Sequence, residues 1–265
     1  MEDRRPTKAV DQNNQAPTAP AMLWNIADVQ LEKLDRLPEG EPAFMNWWEE
    51  RTRQVHALES DREGFFNGTG IAVTGIEPNE TGGVTVKWTQ SDYVHALTVL
   101  TTANEKLPES VTRPAWCQFS GITLLAPLGA TDGLVWARRS QQVRLLQGVW
   151  MCGSAEAAET ADMSSKDWKA AGARGLSEEF AVHDTTLQGV FLEAGIQRHP
   201  GPSSNLTSLV FWLPSTTTLS FKDVESSWKT AADHWEHDAL SLGEAPQQEP
   251  SMTLPEAVAH TLQRK

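Results

Sequence analysis

Residues 148–182, GVWMCGSAEAAETADMSSKDWKAAGARGLSEEFAV, decide how this chain is read. Gly148-Val149-Trp150-Met151-Cys152 is a short apolar run bounded by glycine, the pattern of a buried strand. Gly153 then opens a turn, and Glu156 and Glu159 follow in a loop of small residues. A helix is expected from about Ser165 to Phe180, with Ser164 or Ser165 as its N-cap. Residues four apart share a helix face, so position 175 stacks on Glu179 and Arg174 stacks on Glu178. Position 175 is a glycine, which costs about 1 kcal/mol relative to alanine inside a helix and therefore needs a reason.

Outward from this segment the chain alternates strands and helices. Residues 1–20 are polar and proline-containing, as a disordered tail would be. Residues 42–60 read as a helix, with Pro42 in the first turn and a stripe of Phe44, Trp47, Trp48, Val55 and Leu58. Strand-like runs at Gly70–Ile76 and Val84–Trp88 flank a turn signal at 78–83 and predict a β-hairpin. Ser91 to Asn104 has helical spacing at Tyr93, Ala96, Leu97 and Leu100. From Cys117 onward, strands are expected at Phe119–Ala126, Leu134–Arg138, Gly148–Cys152, Leu187–Leu192, Leu206–Leu213 and Ala239–Leu242. A loop at 198–202 joins two of them, and helices are expected at Phe221–Ala232 and Leu254–Gln263. The alternation lacks the βαβ rhythm of a doubly wound sheet, so the fold class is α+β. The division is a tail (1–20), an N-terminal helix and hairpin extension (21–115) and a main domain (116–265).

Composition narrows the function. A chain of 265 residues with 39% apolar and 22% charged content can bury a substantial core. Its net charge of −13 argues against nonspecific nucleic-acid binding, which depends on basic surface. The two cysteines are too few for a disulfide framework and read as free thiols in a reducing compartment. The eleven tryptophans read as core anchors. No signal peptide or membrane span is evident, so a cytoplasmic location is expected.

The segment 148–182 resembles a degenerate Nudix box, G-x5-E-x7-R-E-U-x-E-E-x-G-U with U bulky and apolar. Gly153, Glu159, Arg174, Leu176, Glu178, Glu179 and Val182 match it. Three departures stand out: fourteen residues separate Glu159 from Arg174, Ala181 replaces the last glycine, and Gly175 replaces the first glutamate of the helix. The resemblance covers about residues 117–262 and implies a mixed sheet between helices. It also implies Mg2+ or Mn2+ held by Glu178, Glu179, Glu156 and Glu159, with Glu236 as a later ligand. Glu179, Glu178 and Arg174 are then the catalytic candidates, with Arg174 expected to pair with Glu159. Arg138 and Arg139 are candidates for substrate phosphate, and strand alternation allows only one of them to face the site.

A second, shorter resemblance, at Asn67-Gly68 and Thr89 to Tyr93, is to Nudix relatives that hydrolyse UDP-sugars. The implied substrate is a nucleoside diphosphate linked to another moiety. Many such relatives are homodimers. The competing expectation is a catalytically lapsed Nudix fold that binds a ligand or regulates a partner.

Overall fold

Apolar side chains point both ways from the strands Phe119–Ala126 and Leu206–Trp212. Ile122, Leu124, Leu209 and Phe211 enter one core, while Leu125, Val210 and Trp212 enter another. A sheet apolar on both faces must be covered on both faces, and this requirement organises the chain. The computed structural model describes residues 22–61, 67–103, 105–107, 111–143, 146–197, 206–247 and 249–263. The expected tail and the 198–202 loop lie outside them.

In chain order the elements are β1 (Met22–Asn25), β2 (Val29–Lys33), α1 (Pro42–Ser60), β3 (Thr69–Pro78), β4 (Val84–Asp92) and α2 (Tyr93–Thr102). Next come β5 (Phe119–Ala126), β6 (Leu128–Ala130), β7 (Gly133–Arg139), β8 (Trp150–Cys152), β9 (Ser154–Ala157), α3 (Thr160–Ser165) and α4 (Trp168–Phe180). The remainder are β10 (Thr185–Leu187), β11 (Phe191–Gln197), β12 (Leu206–Trp212), β13 (Ser215–Thr217), α5 (Phe221–Trp228), β14 (His237–Leu242) and α6 (Glu256–Gln263).

The fold is α+β, with three mixed sheets among the described residues. The central sheet runs β1-β11-β12-β5-β9, with β12 and β5 parallel. A second sheet runs β10-β13-β6-β7-β14, with β8 added beside β7. The third, β2-β4-β3, contains the expected hairpin. Trp168, Leu176 and Phe180 of α4 cover one face of the central sheet, and Val258 of α6 lies in the cluster on the other.

Two of the places where the chain crosses between the first two sheets lie side by side, at Pro127 between β5 and β6 and at Gly153 between β8 and β9. Gly153 has φ 78°, and a Cβ there would lie 1.9 Å from the Ala126 carbonyl oxygen. Only glycine lets the two crossings pass this closely. The glycine that opens the decisive segment is therefore a packing requirement of the two-sheet core.

Several expectations shift. Leu58 is 72% exposed, and Glu59, at 6%, takes its place in the buried face Phe44-Trp48-Val55-Glu59. The expected strand Leu187–Leu192 spans a break, with β10 in one sheet and β11 in another. The helix at 221 ends at Trp228, and the last helix begins at Glu256. β1, β2, β9 and β13 carry too few alternating apolar residues to be read beforehand. β1 pairs with β11, so part of the N-terminal extension is an edge strand of the central sheet. Ile71, Val86 and Trp88 of the third sheet also share the main core. Seven tryptophans are buried, whereas Trp235 is 43% exposed.

Phe44 packs edge-on against Trp116 at 5.6 Å and is fully buried. Phe44→Ala should lower the unfolding free energy by about 3–5 kcal/mol, whereas Leu58→Lys should change it by no more than about 0.5 kcal/mol. Denaturant titration of both variants reads the difference, and equal losses would contradict the burial pattern.

Candidate functional site

The sequence builds this region from a strand, a helical turn and a capped helix. The residues expected to form a glutamate loop pair with β5 as β9, in the register Leu124 to Glu156. Glu159 then caps α3, its side chain receiving an N–H while Asp162 receives the Glu159 N–H at 2.9 Å. Lys166, at φ 56°, closes α3. The N-cap of α4 is Asp167, which accepts from Ala170 N at 3.0 Å, and Ser165 instead ends α3. The extra residues between Glu159 and Arg174 are thus the short helix α3 and its turn.

Arg174 ties this loop to α4. Its guanidinium donates to Glu156 Oε2 at 2.9 and 3.1 Å and to both Asp162 carboxylate oxygens at 3.0 Å. Glu159, its expected partner, is 4.0 Å away. Asp162 was missed, because its place three residues after an N-cap is legible only once the cap is known. The Asp162 hydrogen bonds hold Arg174 above its already high range.

Gly175 faces β9. A Cβ there would lie 2.8 Å from Ser154 Oγ and 2.9 Å from Glu156 Oε1. The helix sits so close to the strand that the Glu156 carboxylate covers the position where a helix side chain would begin.

Glu179 lies one turn further on, also on the buried face. Its Oε1 accepts from Ala155 N at 3.0 Å, and its Oε2 is 2.5 Å from His237 Nε2. The two side chains are 3% and 0% exposed, and the imidazole stacks on Phe180. His237 stands opposite Arg139 on the paired strands β14 and β7, and Arg139 bonds Glu236 at 2.5 Å. Arg138 points the other way, bonding Asp238 at 2.7 Å and Glu249 at 3.2 Å. The strand alternation thus puts Arg139, and not Arg138, beside Glu179. Glu178 is exposed, and its backbone carbonyl accepts from Asp233 N. His237 was missed because its partner is 58 residues away in sequence.

The charge states follow from burial. Burial pushes Glu179 up from 4.5 to about 8 and His237 down from 6.5 to about 4. Burial likewise pushes Glu156 up to about 8 against the pull of Arg174. It also raises Glu236, again opposed by Arg139. Both cysteines are buried free thiols raised to about 12, and so are inert at neutral pH.

These residues do not fit a divalent cation as the sequence implied. A hard cation takes several ionised oxygen ligands with room for water. Gly175 offers none, Glu179 is buried on a histidine, and Glu156 and Glu236 are bound to arginines. Among the described residues no cluster of three or more His, Cys, Asp or Glu side chains is placed to hold a metal ion. No protein-family model and no curated protein sequence matches the chain.

Two predictions follow from these geometries. Ala181 closes α4 in the left-handed region at φ 54°, so Ala181→Gly should stabilise the protein by about 1 kcal/mol in denaturant titration. A destabilisation would contradict that backbone geometry. The second concerns pH. A carboxyl raised to about 8 stabilises the fold at low pH, and that contribution is lost as pH rises through 8. A histidine lowered to about 4 stabilises it above 6.5, and that contribution is lost as pH falls through 4. Between pH 6.5 and about 9 only the raised carboxyls, Glu179 and Glu156, contribute, so the melting temperature should fall across this interval. Glu179→Gln, which cannot ionise, should make that fall shallower and leave the Glu156 part, and an equal slope in both proteins would refute the assignment.

Proposed function

We propose that this chain is a Nudix-like fold that keeps the structural half of the box and has lost the metal half. It acts as a ligand-binding or regulatory protein rather than as a hydrolase. The observation that carries this reading is Glu179, which is buried 2.5 Å from His237 beside a glycine where the second stacked carboxylate would be.

The box positions divide accordingly. Gly153 allows the close crossing, Leu176 and Val182 are fully buried, Arg174 binds the loop, and Ala181 takes the left-handed turn. Each of these serves packing. The positions that would hold metal are absent, buried or paired, except Glu178, and Glu159 serves as a cap.

The ligand class to test first is a nucleoside diphosphate linked to a second group, with UDP-sugars at its head. The cytoplasmic location expected from the sequence and the homodimeric state implied by the resemblance belong to the same proposal. No described helix is long and apolar enough to cross a membrane.

One observation favours the rival reading, a Mg2+- or Mn2+-dependent hydrolase with a rearranged site. Glu156 reaches the space over Gly175 and lies within electrostatic range of Glu178 and Glu179. A side chain from the strand would then stand in for the missing helix carboxylate. The test is incubation of the folded protein with Mg2+ or Mn2+ and a panel of UDP-sugars and related compounds, read by chromatography. The expected result is no product above a protein-free blank, from the wild type or from the Glu179→Gln variant. Turnover present in the wild type and lost in Glu179→Gln would replace this reading with the rival.

A further inference from the structure

The second-sheet side of α4 carries a chain of side chains that nothing in the box resemblance requires. Ala155 N–H donates to Glu179 Oε1, Glu179 Oε2 meets His237 Nε2, and His237 follows Glu236, which bonds Arg139. Three segments distant in sequence meet there: β9 through Ala155, α4 through Glu179, and the start of β14 through His237. The backbone adds a bond from Asp233 N to the Glu178 carbonyl at 2.9 Å. A buried carboxyl needs a hydrogen-bond partner on each oxygen. Here a backbone amide serves one and an imidazole the other.

We infer that His237 occupies the position on Glu179 that a cation would take, making Glu179 part of a metal-independent clamp that fastens α4 to β9 and β14. The inference rests on the non-hydrolytic reading and deepens it. It assigns His237 as the residue that withholds Glu179 from metal, and Arg139 as the cation that neutralises neighbouring Glu236. The imidazole is held by its Nε2 contact and by stacking on Phe180.

The experiment is thermal unfolding of the full chain with EDTA and with increasing Mn2+, in wild type and variants. Wild-type melting should be the same in both. His237→Ala leaves Glu179 buried with one donor and an opened space, so melting should fall by about 5 °C or more. Mn2+ should then recover part of that loss. His237→Gln restores an N–H near the Nε2 position and should return both the stability and the indifference to Mn2+. Glu179→Gln keeps a hydrogen bond to His237, should melt close to wild type, and serves if His237→Ala does not fold. In the double variant Glu179→Gln/His237→Ala the Mn2+ response should vanish.

A saturable rise of the wild-type melting temperature with Mn2+, absent in Glu179→Gln, overturns the clamp. So does a His237→Ala protein that is destabilised and gains no Mn2+ response, because a merely structural histidine would behave that way. The two proposals fail separately. Turnover that survives in Glu179→Gln removes the non-hydrolytic reading and leaves the clamp standing. Mn2+ stabilisation of the wild type without turnover does the reverse.

Discussion

A carboxylate taken out of water must be neutralised or hydrogen-bonded, since an unpaired buried charge costs several kcal/mol. Glu179 meets that condition with one backbone amide and one imidazole, and the geometry of three elements depends on it. The helix α4 cannot slide along β9 without losing Ala155, nor rotate from the second sheet without losing His237. The apolar residues of α4 supply most of the burial, but hydrophobic contact is not directional. The polar contacts fix the register in which that burial occurs.

The same region shows how a helix approaches a strand closely enough for such contacts. Gly175 removes the side chain that would otherwise separate α4 from β9, and Gly153 lets β9 begin beside Ala126. The space over Gly175 is then filled from the strand by Glu156, which Arg174 holds in place with Asp162. The glycine that costs helix propensity is offset by an ion-pair network at its own position. The other carboxylates of this group have protein partners, Glu159 at the α3 cap among them, while Glu178 is exposed.

Residues whose neighbours are local in sequence were legible from it. The boundaries of α1, the hairpin of β3 and β4, and β5 follow from capping, turn and alternation signals that a short window contains. The resemblance implied a loop acid for Arg174, and Arg174 bonds Glu156 while the expected Glu159 lies 4.0 Å away. Local spacing misassigned Leu58 and Glu59 because a helix stripe wide enough for either leaves the choice to the packed partner. It missed β9 because Ser154–Ala157 has small residues and a charge where a strand signal needs bulk.

Sequence alone determined the α+β class, the presence of an acidic strand-to-helix segment and the absence of a helix carboxylate at position 175. Spacing along the chain is enough to establish those. Only the tertiary structure decided that Arg174 would choose Asp162 and Glu156, that Arg139 would take Glu236, and that Glu179 would be buried against His237. The physical reason is that a charged side chain acquires its partner from whichever element is folded beside it. For Glu179 that element begins 58 residues further along the chain, beyond the reach of any local pattern.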